Sequence, residues 1–200
     1  QGPDAGPQVR KVLEAVDALA PLADAHRLVI THGNGPQVGM LAIESADDRS
    51  LASPYPLDAL VAETQGLIGY WLVQALGNAL PHREVVGLLT QVVVDRTDPA
   101  FAHPTKFIGP VYDQERAEGL APRRGWTMAR DGWGWRRVVP SPPPVEIVEQ
   151  ALIERLVSQG TVVVCAGGGG IPVARRRGGR LEGEVAVIDK DLTSCVLATA

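Results

Sequence analysis

The run Thr-Val-Val-Val-Cys-Ala (161–166) is apolar and β-branched, and it ends abruptly in four consecutive glycines, Gly167, Gly168, Gly169 and Gly170. Such a run predicts a buried strand whose carboxyl end releases the backbone into a loop able to approach a ligand closely. In open α/β sheets, ligands bind at that end of the strands. The loop lacks the Gly-Lys-Ser/Thr ending of a P-loop. Pro172 and an arginine cluster stand where the helix of a dinucleotide fingerprint should begin. The glycines alone are therefore equally compatible with an ordinary loop. What sharpens them is the triplet Asp189-Lys190-Asp191, which follows the next apolar run, because a lysine between two carboxylates packs poorly and suits phosphate binding.

With 200 residues, 45% of them hydrophobic, the chain is long enough for one or two domains with a real core. A net charge of -4 argues against a general nucleic-acid binder, whose domain would be basic. No apolar run approaches the ~20 residues of a membrane span, and the first residues do not form a signal peptide, so a soluble cytoplasmic protein is expected. The two cysteines, Cys165 and Cys195, have no metal-ligand spacing and are both expected as small apolar core residues. Only Lys11, Lys106 and Lys190 among the 19 basic residues are lysines. A compact ammonium differs from a planar guanidinium in size and reach, so lysines retained in an arginine-rich chain mark positions where arginine would not fit.

Along the chain, Val9 to Ala25 has helical spacing, with Pro21 expected to end or kink it. Residues 28–30 predict a short buried strand running into His-Gly-Asn-Gly-Pro-Gln-Val-Gly (32–39). Gly33, Asn34 and Gly35 suit left-handed turn conformations there, and Pro36 suits the first turn of a helix reaching about Ser45. A strand, a glycine-rich turn and a helix N-terminus make a ready anion site, because unpaired N–H groups and the helix dipole converge; a plain connection is the alternative. A long helix is expected from Leu57 to about Leu80, with Gly66, Gly69 and Gly77 explained by close packing and with Glu63 and Gln65 on a solvated face, facing a site being the alternative. Val85 to Val94 predicts a single strand buried on both faces. From 96 to 144, prolines, aromatics and turn dipeptides predict an inserted subdomain of short strands or hairpins with one helix near Gln114 to Arg123, its tryptophans and tyrosines under apolar cover. Val145 to Gln159 resumes the helical period, and a last helix starts at Asp189 or Lys190 with Asp189 as N-cap. Helices alternating with short apolar strands predict an α/β fold with a mostly parallel sheet covered on both sides. Residues 1–95 and 145–200 are assigned to the core and 96–144 to the insertion.

Seven segments, His-Gly-Asn-Gly-Pro-Gln-Val-Gly (32–39), Tyr-Pro-Leu-Asp (55–58), Ala-Glu-Thr-Gln-Gly-Leu-Ile-Gly-Tyr (62–70), Pro-Thr-Lys-Phe-Ile-Gly-Pro-Val-Tyr-Asp (104–113), Arg-Arg-Val-Val-Pro-Ser-Pro (136–142), Cys-Ala-Gly-Gly-Gly-Gly-Ile-Pro (165–172) and Val-Ile-Asp-Lys-Asp-Leu (187–192), together resemble the carbamate kinases of the amino acid kinase family. The Pro-Thr-Lys and Arg-Arg-Val-Val-Pro-Ser-Pro segments resemble the protruding subdomain that distinguishes carbamate kinases within it. The resemblance implies a three-layer α/β/α sandwich, a homodimer, and reversible phosphoryl transfer between ATP and carbamate, giving carbamoyl phosphate and ADP with Mg²⁺. No metal ligands are assigned to the protein. It implies an acceptor seat at Gly33, Asn34 and Gly35, approached by Gly167 to Gly170. Lys190 is then the cation on the transferring group, with Asp191 (or Asp189) orienting it, and Lys106 a charge borne by the lid. Family members begin with a strand and a Gly-Gly-Asn loop and continue beyond Asp-Lys-Asp, with a further catalytic lysine. The expectation is therefore that these residues are a portion of a longer kinase. The alternatives are a catalytically incomplete acceptor-binding or dimerisation module, and a family member acting on another acceptor.

Overall fold

The computed structural model describes residues 4–199; Gln1 to Pro3, the start of the segment tested for a leader, lie outside the described residues, as does Ala200. Helix α1 spans Ala5–Ala25 and carries Pro21 in its interior, so the proline does not end it. Strand β1 (Val29–Ile30) leads into α2 (Gly35–Asp47), and α3 (Leu57–Ala79) follows. The expected single strand from Val85 to Val94 is two, β2 (Val85–Gly87) and β3 (Gln91–Val93), which belong to different sheets. Between them Thr90 gives its N–H to Gln65 Oε1 at 2.8 Å, so a side-chain amide takes the place of a ladder acceptor, while its carbonyl accepts from Gln65 Nε2 at 3.2 Å and from the Ile171 N–H at 2.8 Å.

The insertion contributes β4 (Lys106–Tyr112), α4 (Gln114–Arg124), β5 (Thr127–Asp131) and β6 (Gly134–Val139), with the strands in the antiparallel order β4-β6-β5. Trp133, at the β5–β6 turn, is 79% exposed, contrary to the expected apolar cover. The segment expected to be helical from Val145 begins instead as β7 (Glu146–Ile147), and α5 is only Gln150–Ser158. Then come β8 (Val162–Val164), β9 (Ile171–Arg175), β10 (Leu181–Gly183) and α6 (Lys190–Thr199).

In the body, β8 pairs in parallel with β1 on one side and β2 on the other, and β3 pairs in parallel with β9. Among the described residues of the body, only the outer strands β7 and β10 run antiparallel. Alternation along β8 builds the layers. Val162 and Val164 enter the cluster with Val16 of α1 and Leu72 and Leu76 of α3, whereas Val163 and Cys165 enter that with Ile153 of α5, joined by Val196 and Leu197 of α6. The body is thus an α/β fold with helices on both faces of the β1–β8–β2 sheet. A third cluster joins Val38 of α2 and Leu60 of α3 to Ile108 of β4 and Val139 of β6, fastening the inserted sheet to the body.

Two glycines set how closely it is fastened. A Cβ on Gly39 would lie 2.1 Å from Gly109 Cα, so α2 and β4 meet backbone to backbone. Gly109 has φ +72°, at an irregularity of the β4–β6 pairing, and this contact holds the first residue of β4, Lys106, beside the N-terminus of α2. Gly66, Gly69 and Gly77 of α3 have no such reason, because a Cβ on any of them would meet nothing within 4 Å. Cys165 is buried and its thiol is pushed up to about 12 by burial, but Cys195 is exposed on α6 and is not a core residue. Among the described residues no helix is long and apolar enough to cross a membrane.

Candidate functional site

A cleft of about 210 Å³ opens where the N-terminus of α2, the start of β4, the glycine run and the start of α6 converge. Its wall includes Gly33, Asn34, Gly35, Lys106, Gly168, Asp189, Lys190 and Asp191. The three catalytic candidates are therefore together, although Lys106 stands more than 80 positions from the triplet. Larger clefts flank it, about 350 Å³ over Gly66 and Gly69 and about 330 Å³ between α1 and α3, but neither gathers two lysines.

The N-terminus of α2 is an open donor set. Asn34, the N-cap, has φ −143°, and neither Gly33 nor Gly35 has a positive φ, so the expected left-handed turn does not occur. The Asn34 side chain does not cap the helix. It is buried and donates from Nδ2 to Thr64 Oγ1 at 2.7 Å, and that hydroxyl donates to Val61 O at 2.7 Å. Among the described residues the N–H groups of Gly33, Asn34 and Gly35 reach no protein acceptor, leaving them and the positive end of the helix dipole for an anion.

The glycine run works differently from that expectation. Gly168 N–H donates to His32 O at 2.7 Å, Gly169 N–H to Ala166 O and Gly170 N–H to Gly167 O, so these three donors are spent inside the protein. The glycines serve contact instead. A Cβ on Gly167 would lie 2.3 Å from the His32 ring, one on Gly168 2.1 Å from the Asn34 amide, one on Gly169 2.5 Å from Ile188 O and one on Gly170 2.2 Å from Val92. Of the four, only Gly168 lines the cleft. The run presses the α2 approach and the Ile188–Lys190 segment into place from behind, and Thr193 Oγ1 completes the clamp by donating to Gly169 O at 2.8 Å.

The charges pair as two separate couples. Lys106 Nζ lies 2.5 Å from Asp189 Oδ2, and Lys190 Nζ lies 2.6 Å from Asp191 Oδ1. Asp189 also caps α6, accepting the Asp191 N–H on Oδ1 at 2.9 Å. The Lys106 hydrogen bond, with that of the Asp191 backbone, holds the Asp189 carboxyl below the usual carboxylate range. The carboxylate paired with Lys106 is therefore Asp189, while Asp191, with its side chain 80% exposed, pairs among the described residues with its neighbour Lys190. The stem of Lys190 lies along Gly33, whose added Cβ would sit 3.6 Å from Lys190 Cδ. His32, behind the cleft, has its pKa lowered by burial and is neutral at pH 7.

The residues that hold this arrangement were not legible as such. Gln65, expected on a solvated face, is buried, and its amide bridges Thr90 and Gly167 O, the latter at 3.0 Å. Thr90 Oγ1 in turn accepts the Ala166 N–H at 2.9 Å. The signal available was that α3 is apolar nearly all round, and a polar residue on such a helix is buried and must be bonded. Three His, Cys, Asp or Glu side chains do not converge anywhere among the described residues, so these form no protein cage for Mg²⁺.

The charge pair gives a pH prediction. Asp189→Asn keeps a good N-cap but removes the charge. Because the folded-state pKa of Asp189 lies below its ordinary 3.8, its stabilisation is full above that value and is lost as pH falls through the lowered one. The difference in melting temperature between the parent and Asp189→Asn proteins is expected to be constant near neutrality and to shrink below about pH 4. A difference that persists unchanged into stronger acid would show that the ion pair does not hold the carboxyl.

A model of the amino acid kinase family matches residues 4–200. The carbamate kinase of Rhizobium meliloti is 50% identical over 194 residues, covering 96% of this chain and 60% of that protein. The carbamate kinase of Escherichia coli K12 is 50% identical over 191 residues, covering 96% and 63%. Among solved structures, a carbamate kinase from Giardia lamblia bound to citric acid superposes with a TM-score of 0.93 at 37% identity, over 99% of this chain and 66% of that one. The chain spans about 60% of the length of such curated relatives. With the parallel-stranded body, the inserted antiparallel sheet and the family match in agreement, the chain belongs to the amino acid kinase family.

Proposed function

We propose that this chain is a carbamate kinase, exchanging a phosphoryl group between carbamoyl phosphate and ADP to give carbamate and ATP. The observation that carries the reading is the convergence of Lys106 and Lys190 on the open N-terminus of α2. Phosphoryl transfer between two anions needs positioning and charge cancellation more than covalent chemistry. The N–H groups of Gly33, Asn34 and Gly35 would seat the carbamate or the phosphoryl oxygens. Lys190 would neutralise the charge on the transferring group, with Asp191 steadying its ammonium. Lys106, steadied by Asp189, would enter on residues 96–144 acting as a lid, so that closure brings in the second cation. Gly167 to Gly170 support the seat through their close packing, and Gly168 alone would face the bound group. The nucleotide, ATP or ADP, would bring Mg²⁺ with its phosphates. A homodimer in the cytoplasm, serving arginine breakdown, belongs to the same reading and rests on the resemblance to carbamate kinases.

The test is ATP formation from carbamoyl phosphate and MgADP by the purified chain, with acetyl phosphate as the competing donor and calorimetric binding of carbamoyl phosphate measured alongside. Turnover with carbamoyl phosphate at least ten times that with acetyl phosphate is the expected result. Because the chain spans only about 60% of its relatives, a second reading is an acceptor-binding module without turnover. That reading expects carbamoyl phosphate binding without ATP formation. Absence of both would sink the two together.

A further inference from the structure

On the other side of the inserted sheet, a cleft of about 380 Å³ separates it from α2 and the turn before α3. Arg123, Arg124 and Arg137 line one wall, with Ala42, Tyr55 and Leu60 among those opposite. Three guanidiniums on one wall are unexpected in a chain of net charge -4, and their partners do not account for them. Arg124 reaches Asp47 through Nη2, but its Nη1 is buried with no hydrogen-bond partner. Among the described residues Arg137 has no carboxylate or carbonyl partner. Its guanidinium lies 4.5 Å from the Trp126 ring centre, and that of Arg124 lies 5.0 Å from the same ring. Burial draws Arg137 down to about 10, with the nearby Tyr112 opposing the shift and the Arg124 charge adding to it. Arg123 is exposed and pairs with nothing among the described residues.

A ring that attracts one cation does not remove the repulsion between two, and an anion placed between the guanidiniums would relieve it. Guanidinium forks match the oxygens of phosphate in pairs, which a buried water would not. We propose that this cleft binds a small phosphate-bearing anion on Arg123, Arg124 and Arg137, at a place separate from the Lys106–Lys190 cleft. Arg137 stands on β6, whose Val139 pairs with Lys106, so the bound anion would also fasten the strand carrying Lys106 to the body.

The probe is inorganic pyrophosphate, titrated calorimetrically into the Lys190→Ala protein so that binding at the first cleft is weakened. Saturable binding is expected, and Arg137→Gln and Arg123→Gln in that background should each weaken it by about tenfold or more. Arg123 makes no ring contact, so its replacement leaves Trp126 undisturbed and remains readable even where Arg137→Gln fails to fold. No saturable binding, or binding that Arg123→Gln leaves unchanged, would overturn the proposal. Binding abolished by adding Lys106→Ala but not by either arginine variant would overturn it too, returning the anion to the first cleft.

Discussion

Replacing Lys106 with alanine is expected to lower ATP formation from carbamoyl phosphate by about 10²- to 10³-fold, the usual effect of removing one preorganised charge from a transition state that develops negative charge. Its ammonium is held 2.5 Å from Asp189, on a carboxylate itself fixed by the N–H groups that begin α6, so closure of the lid brings in a charge whose position is already set. Lys106→Arg should restore little, because the longer planar fork does not fit the space of an ammonium between Asp189 and the cleft. The fall should appear mainly in kcat if the charge arrives with closure, and mainly in KM if it only holds the ground state. Lys190→Ala should act at least as strongly, since its stem runs along Gly33 into the acceptor seat. Turnover in Lys106→Ala within about threefold of the parent would remove the lysine from the mechanism, and carbamoyl phosphate binding in the same protein would show whether it had served the seat at all.

The lysines were legible because composition isolated them: in a chain that uses arginine elsewhere, two of three lysines fell inside the motifs. The α/β layering was legible as well, since β8 is apolar on both faces and its neighbours repeat that pattern. What the sequence hid was decided by tertiary partners. One strand became two between Val85 and Val94, where an amide from α3, more than twenty residues away, takes the Thr90 N–H. Asp189 and Asp191 look equivalent as letters, but the helix that begins between them turns one carboxylate toward Lys106 and its own N-terminus and leaves the other in solvent. The glycine run pointed to the right end of the right strand for a partly different reason: it packs against His32, Asn34, Ile188 and Val92, and its donors are mostly consumed. Backbone packing and ligand approach demand the same residue, so composition does not separate them.

That distinction makes Gly168→Ala a severe substitution at the cleft wall. Gly168 has φ +66°, a conformation that costs an alanine roughly 1 kcal/mol. Its new Cβ would stand 2.1 Å from Asn34 Nδ2 and 2.3 Å from Asn34 Cγ. Asn34 is 3% exposed and tied to Thr64, so to make room it must surrender that hydrogen bond, leaving a buried amide unsatisfied at about 1–3 kcal/mol. Overpacking adds about 1–3 kcal/mol. The sum, about 3–7 kcal/mol, is a large share of the ~5–15 kcal/mol that holds a domain of this kind. Urea unfolding should therefore show a midpoint far below that of the parent. Gly35→Ala is the matched control: it lies on the same cleft, has no positive φ, and its Cβ would meet nothing within 4 Å. As the first residue of α2, alanine there should leave stability within about 1 kcal/mol of the parent or improve it. If Gly168→Ala proved as stable as Gly35→Ala, the loop would have room to move away from Asn34, and its glycines would be retained for a bound group instead of for packing.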